Sequence, residues 1–285
     1  MRIRSANVVL LAFGKIRYKN SCCDASSART PFADPGIDAG FEVEFFSYLA
    51  SVEAGFWWFE ARNDIIVWAI RRWFPQIRSF MEVGCGTGFV VSRISREFPD
   101  VAISASELFA EAMTFVKTRV PRASLYQFDA LAIPFRQEFD VIGAFDVVEH
   151  IEDDRGALRE IRQALRPGGG VILTVPQHPF LWGPSDEAAH HKRRYTRGVL
   201  QARLQESGFR VLAFRSFVSL LVPLLILSRV AARWKAGGSA RSEFDITSRL
   251  NSALKSTMAI ELSLMRDGMH LPFGGSLLAI AERVE

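Results

Sequence analysis

Cysteine is scarce in this chain: 285 residues hold three, and two of these, Cys22 and Cys23, are adjacent while Cys85 stands alone. That spacing suggests neither a disulfide framework nor a zinc site, and a reducing compartment fits it best. Long apolar runs are missing as well. The stretch Phe217 to Leu227 spans eleven residues, where a membrane-crossing helix needs about 20. Behind Arg2 and Arg4, the run Val8 to Phe13 is too short for the core of an export signal, and no small-x-small cleavage pattern follows it. No strong excess of one charge exists either. The formal charge is +4, but the first 40 residues carry six Lys/Arg against three Asp, which leaves about +1 for the rest. A nucleic-acid footprint is therefore not expected.

The most ordered signal is Phe80-Met81-Glu82-Val83-Gly84-Cys85-Gly86-Thr87-Gly88-Phe89, which reads as a short strand entering a loop with glycine at alternate positions. Such a loop lets backbone approach a ligand, and the helix opening near Phe89 points unpaired N–H groups at it. A dinucleotide fingerprint would need glycine at 84, 86 and 89; position 89 is Phe. Two residues before the loop, Glu82 ends the strand, where its carboxylate can balance a ligand ammonium directly or through water.

The acid-x-G-x-G-x-G run of Glu82, Gly84, Gly86 and Gly88 resembles the first motif of the class I S-adenosylmethionine-dependent methyltransferases. From about Phe56 to Pro176 the chain looks like the type 11/type 12 methyltransferase domains, a group that includes methyltransferases of quinone biosynthesis. The resemblance implies S-adenosyl-L-methionine as cofactor, with Glu82, Gly84, Cys85, Gly86, Thr87 and Gly88 around it. A second expected strand, Val101 to Ala105, leads to Glu107 and Leu108, where an acid can accept both ribose hydroxyls or serve only as a helix cap. A third, Ser124 to Phe128, ends at Asp129 and Ala130, the family's place for an acid at the adenine amino group. The fourth, Phe139 to Phe145, runs into Asp146-Val147-Val148-Glu149-His150, which resembles the segment under the cofactor's methionine part. There His150 orients loop or cofactor, or acts as a base. The Asn/Asp-Pro-Pro-Tyr/Phe of nucleobase amino methyltransferases is not present.

Short β-rich runs alternating with helical ones predict α/β architecture: a doubly wound, mostly parallel seven-stranded sheet of Rossmann-like methyltransferase type, with helices on both faces. Residues 1–40 have no hydrophobic period and are expected to be a disordered extension. Residues 41–285 form one methyltransferase domain. Four tryptophans between 57 and 73 mark a helix across the sheet edge or a lid over the cofactor. Trp57-x-x-x-Ala61-Arg62-Asn63 resembles a segment that precedes the glycine motif in the family, without a role readable from its residues.

Beyond the fifth strand, Val171–Val175, the loop His178 to Tyr195 lies where open α/β sheets bind ligands. It is either a solvated loop or the acceptor side. On the second reading His191 is the candidate base, with Arg194 and Tyr195 as binding groups. Between the sixth strand, Phe209–Phe214, and the seventh, Gly275–Ala281, residues 217–271 form an apolar helical insertion. Its opening run, followed by Arg229, Arg233 and Lys235, suits a peripheral membrane contact over 217–235 or a helix packed on its own domain. The expected activity is methyl transfer to a small-molecule or lipid-linked acceptor in the cytoplasm. A cofactor-binding scaffold without turnover and a nicotinamide oxidoreductase are the other classes.

Overall fold

The computed structural model describes residues 9–12, 15–18, 43–234 and 246–284. Its centre is β3 (Ser79–Val83), flanked by β4 (Ala102–Glu107) and then β5 (Ser124–Gln127) on one side. On the other side lie β6 (Phe139–Phe145) and β7 (Leu165–Pro176), and all five strands are parallel. The last strand, β9 (Ser276–Arg283), inserts antiparallel between β7 and β8 (Phe209–Phe217). These seven are the expected strands. Their parallel stretch reads as near-continuous apolar sequence because both faces are covered.

Alternate residues supply the two cores, as a period of two requires. Phe80, Val141, Ile172 and Leu278 face one side; Met81, Ile142, Leu173 and Leu277 face the other. The first face is covered by α2 (Trp57–Trp73), α3 (Phe89–Glu97) and α4 (Ala110–Arg119), the second by α5 (Asp154–Ala164) and α7 (Arg197–Glu206). A short α1 (Val43–Val52) precedes α2, and α6 (Pro184–Ala188) lies in the loop after β7.

Two local differences from the sequence reading have physical causes. The fifth strand, expected over Val171–Val175, begins earlier, and Arg166 to Gly170 lies within β7. Leu165 pairs with Phe139 and Gly170 with Val141, so the residues between bulge out of register. Within the stretch expected to be disordered, β1 (Val9–Ala12) and β2 (Lys15–Tyr18) form a hairpin, and β1 runs antiparallel to β5. An exposed strand edge offers unpaired N–H and C=O groups to such a hairpin. Cys22 and Cys23 lie outside the described residues.

The insertion holds α8 (Val222–Trp234) and α9 (Ser248–Arg266). The apolar run that opens it is not one helix: Phe217 ends β8, Val218 to Leu221 turn, and Pro223 falls in the first turn of α8, where its missing N–H has no helical partner to lose. Helix α9 places Leu254, Met258, Leu262 and Met265 in the core that contains Ile65, Ile66, Ala69 and Ile70 of α2. The Asn251 side chain accepts from Trp57 N at 2.9 Å and donates to Gly55 O at 2.9 Å. Buried Glu261 of α9 accepts from Ser219 N (2.8 Å) and Leu220 N (2.9 Å), holding the turn that starts α8. The tryptophans of α2 are partly buried against this core, which covers a sheet face.

Candidate functional site

The strand order brings the carboxyl ends of β5, β4, β3 and β6 side by side, the edge at which open α/β sheets take ligands. The glycine loop crosses this edge. Gly84, Gly86 and Gly88 have φ of +68°, +51° and +78°. A Cβ on Gly84 would meet the Val147 side chain at 2.7 Å, whereas one on Gly86 would meet nothing within 4 Å. Gly84 is therefore needed for packing, and Gly86 borders open space.

The Gly86 amide donates to Glu107 Oε2 at 2.7 Å, and Leu108 N donates to Oε1 at 2.7 Å. Phe109 N also donates to Oε1, at 3.3 Å, so three of a carboxylate's about four acceptor sites are used and Glu107 keeps capacity for about one further donor while fixing loop to strand. Burial raises its pKa above the usual carboxylate value despite those N–H groups. Glu82 is 2% exposed, its Oε2 is without a partner, and burial pushes its pKa up to about 8, with nearby Arg62 acting the other way. Asp129 is exposed and accepts from Leu131 N at 2.9 Å, with Ala130 half-buried beside it. Cys85 and Phe145 are buried, and burial raises the Cys85 thiol well above its ordinary value.

Other members of the expected set are held from outside the motif. Thr87 Oγ1 donates to buried Glu53 at 2.8 Å and accepts from Arg119 Nη1 at 3.0 Å, and Arg119 also pairs with Glu53. Asp146, at φ +56°, pairs with Arg62 at 2.5 Å and accepts from Thr174 Oγ1 at 3.1 Å. The Arg62 guanidinium lies over the Trp58 ring at 4.6 Å. The α2 segment that the sequence left without a role thus anchors the loop after β6. Glu53 and Arg119 carry no motif that could have marked them.

In the loop after β7, Lys192 N donates to Glu149 O at 2.8 Å, which brings this loop against the turn after β6. His191 Nδ1 lies 2.8 Å from Asp186 Oδ1, and Asp186 is fully buried. Burial alone would raise the Asp186 pKa, but hydrogen bonds from His191, Arg194 and Gly183 N hold it below the usual carboxylate range. An ionised Asp186 can only accept from Nδ1–H, so in the neutral imidazole the lone pair is on Nε2. That Nε2 is 4.0 Å from Glu149 Oε1. Glu149 is fully buried with neither carboxylate oxygen paired, and burial, reinforced by the Asp146 charge, drives its pKa well above the ordinary range. His150 meets the His191 ring edge-on at 4.8 Å, and burial lowers its pKa to about 4, so it is neutral at pH 7.

Arg194 and Tyr195 are not arranged as acceptor-binding groups. Arg194 donates to Asp186 (2.8 Å) and Gln177 O (3.0 Å). Tyr195 is 1% exposed, its hydroxyl donating to Asp154 Oδ2 at 3.0 Å, with burial raising its pKa. Both side chains shape the loop from within. In their place the structure sets Glu149 and Asp186 around His191. Glu149 follows the fourth strand and Asp186 lies within the loop His178 to Tyr195, but only the fold shows that they meet at His191. Around the rim, His178 stacks on Phe180 (5.1 Å) and approaches Phe273 (5.4 Å).

A family model described as a methyltransferase domain matches residues 81–171. A probable S-adenosylmethionine-dependent methyltransferase of Mycobacterium tuberculosis is 26% identical over 139 residues, 46% of this chain and 48% of the relative. A dTDP-3-amino-3,4,6-trideoxy-alpha-D-glucopyranose N,N-dimethyltransferase of Streptomyces venezuelae is 30% identical over 142 residues, 48% of this chain and 58% of the relative. The chain spans about half the length of the curated relatives it matches. Among solved structures, phosphoethanolamine N-methyltransferase 2 of Haemonchus contortus, in complex with S-adenosyl-L-methionine, aligns at TM-score 0.53 and 18% identity over 79% of this chain and 52% of that one. The cyclase SpnF aligns at 0.55 and 17% over 84% and 94%. Identities this low carry the fold alone. The strand ends, the glycine loop and the family match over them agree: the chain carries a class I S-adenosylmethionine-dependent methyltransferase domain.

Proposed function

We propose that the protein binds S-adenosyl-L-methionine and transfers its methyl group to a small-molecule or lipid-linked acceptor. One observation carries the reading: open space at Gly86 lies in a loop tied directly to Glu107, with Glu82, whose Oε2 is unpaired, near the end of β3, the strand that enters this loop. An adenosine ribose and a ligand ammonium are the groups that these two acids suit. In the reaction the acceptor attacks the methyl carbon in line, the S–CH₃ bond breaks, and its electron pair returns to sulfur, which becomes neutral. The protein mainly aligns the reactants. Where the nucleophile carries a proton, the Nε2 of His191, with Nδ1 held by Asp186, is placed to take it.

An apolar acceptor is favoured by the surface beside this loop. Leu224 and Leu227 of α8 and Leu220 in the turn before it are exposed, and Phe180 and Phe273 are 59% and 58% exposed. Such a face suits contact with the cytoplasmic surface of a membrane. Arg229 is turned onto the loop, donating to Ser185 Oγ at 2.8 Å. The side chains of Arg233 and Lys235 lie outside the described residues. No described helix is long and apolar enough to cross a bilayer.

Calorimetry tests the cofactor reading. S-adenosylhomocysteine should bind, and Glu107→Ala should weaken it by roughly 1.5–3 kcal/mol, about ten- to a hundredfold. Binding of NADH in its place would overturn the assignment. Incubation with methyl-labelled cofactor and a lipid and metabolite extract then identifies the acceptor, while binding without any labelled product would favour a scaffold.

A further inference from the structure

The least expected feature of the site is a fully buried carboxylate, Glu149, with neither oxygen paired. A buried acid without partners costs several kcal/mol unless it is neutralised, so its neighbours matter. They are two histidines. The ligand atoms of Glu149, His150 and His191 all lie within 4.8 Å of one another. The Glu149 to His191 separation of 4.0 Å is too long for a hydrogen bond and within what one ion can bridge, since two ligands at about 2.1 Å each span up to about 4.2 Å. His191 also has the support typical of a metal ligand: its other ring nitrogen is held by the Asp186 carboxylate, which fixes the tautomer and aims Nε2 at Glu149.

We propose that Glu149, His150 and His191 form a divalent transition-metal site, with Asp186 positioning His191. Two imidazoles and one carboxylate suit zinc or another first-row ion; magnesium and calcium favour all-oxygen sets. Three protein ligands leave at least one position open, the arrangement of a catalytic site. The site adjoins the loop after β6, so the open position would take an oxygen of the acceptor. This deepens the methyl-transfer reading, on which it rests, and names the acceptor nucleophile as a hydroxyl. On binding the ion, the hydroxyl loses its proton to solvent at neutral pH. The oxygen then forms the O–CH₃ bond as S–CH₃ breaks, sulfur keeping the pair. The lone pair of His191 holds the ion instead of accepting that proton. Metal-ligand spacing in the sequence could not reveal the site, because it contains no cysteine and its second histidine comes from a different loop.

The test uses the full chain, stripped with a chelator and titrated with Zn²⁺ and Co²⁺. One Zn²⁺ per chain should bind by mass spectrometry of the metal, and Co²⁺ should give the visible d–d bands of a low-symmetry site. Glu149→Gln, which keeps shape and removes the carboxylate ligand, and His191→Gln should each weaken binding at least tenfold. Asp186→Asn should do so by about 10–100-fold, and should also alter the Co²⁺ spectrum. Binding that survives both Glu149→Gln and His191→Gln, or no stoichiometric binding by wild type, overturns the site. S-adenosylhomocysteine affinity of the stripped protein separates the two readings: if it persists while metal fails to bind, only the metal site falls. If it is absent, the methyl-transfer reading falls as well.

Discussion

The two halves of the site, the glycine loop to which we assign the methyl donor and the loop after β7 to which we assign the acceptor, are built in opposite ways. On the donor side the backbone bears the signal: the glycine loop and the acids after successive strands stand at the sheet edge, while the residues that brace them come from elsewhere, Arg62 from α2, Arg119 from α4 and Glu53 from the bend after α1. On the acceptor side the conspicuous polar side chains are themselves the braces. Arg194 and Tyr195 tie the loop to Gln177 and Asp154, and the groups left facing one another are Glu149, His150 and His191. A polar cluster in a loop therefore does not by itself identify ligand contacts. What matters is which groups the fold turns toward one another, and here they converge on Glu149, whose two oxygens have no hydrogen-bond partner.

The sharpest way to break this contrast is Asp154→Ala. Asp154 is 3% exposed and accepts from Tyr195 and Arg203 and pairs with Arg193. Removing it should cost about 3 kcal/mol in denaturant unfolding, while the folded protein keeps its S-adenosylhomocysteine affinity. Tyr195→Phe, losing one hydroxyl bond, should cost only about 1 kcal/mol and leave methyl transfer near wild type. A large loss of turnover without loss of stability would return Tyr195 to the acceptor.

A second test bears on the donor side through pH. Glu82 ionises near its ordinary value of 4.5 when unfolded and at about 8 when folded. Between these values the folded chain holds more protons, so the stability of the ligand-free protein should fall as pH rises from about 4.5 to about 8. A ligand ammonium favours the ionised form. Binding of S-adenosylhomocysteine at pH 7 should then release up to about one proton, and affinity should climb with pH up to about 8. Calorimetry in buffers of different ionisation enthalpy measures this. A pH-independent affinity in wild type, equal to that of Glu82→Gln, would remove Glu82 from the ammonium.

The smallest stability effect is expected at the membrane-facing surface we propose. Leu224 and Leu227 are 48% and 66% exposed, so Leu224→Asp with Leu227→Asp should shift stability by only about 0.5 kcal/mol. It should nevertheless release the protein from anionic liposomes in sedimentation. Wild type that stays in the supernatant at low salt, or a double variant that unfolds, would count against the surface.

By itself the sequence determined the seven strands and the donor loop. Period-two apolar runs, glycines at 84, 86 and 88 and acids at 82, 107 and 129 are local signals, each readable within a few residues because strand geometry and left-handed backbone act locally. Only the tertiary structure decided the rest. That α9 covers α2, that Pro223 opens a helix, and that Arg62 reaches Asp146 depend on contacts between distant segments. The same holds for the acceptor side: His191, Arg194 and Tyr195 are similar as letters in a polar loop. Burial and pairing across the fold, which no local pattern encodes, buried Tyr195, engaged Arg194 and turned His191 toward an unpaired Glu149.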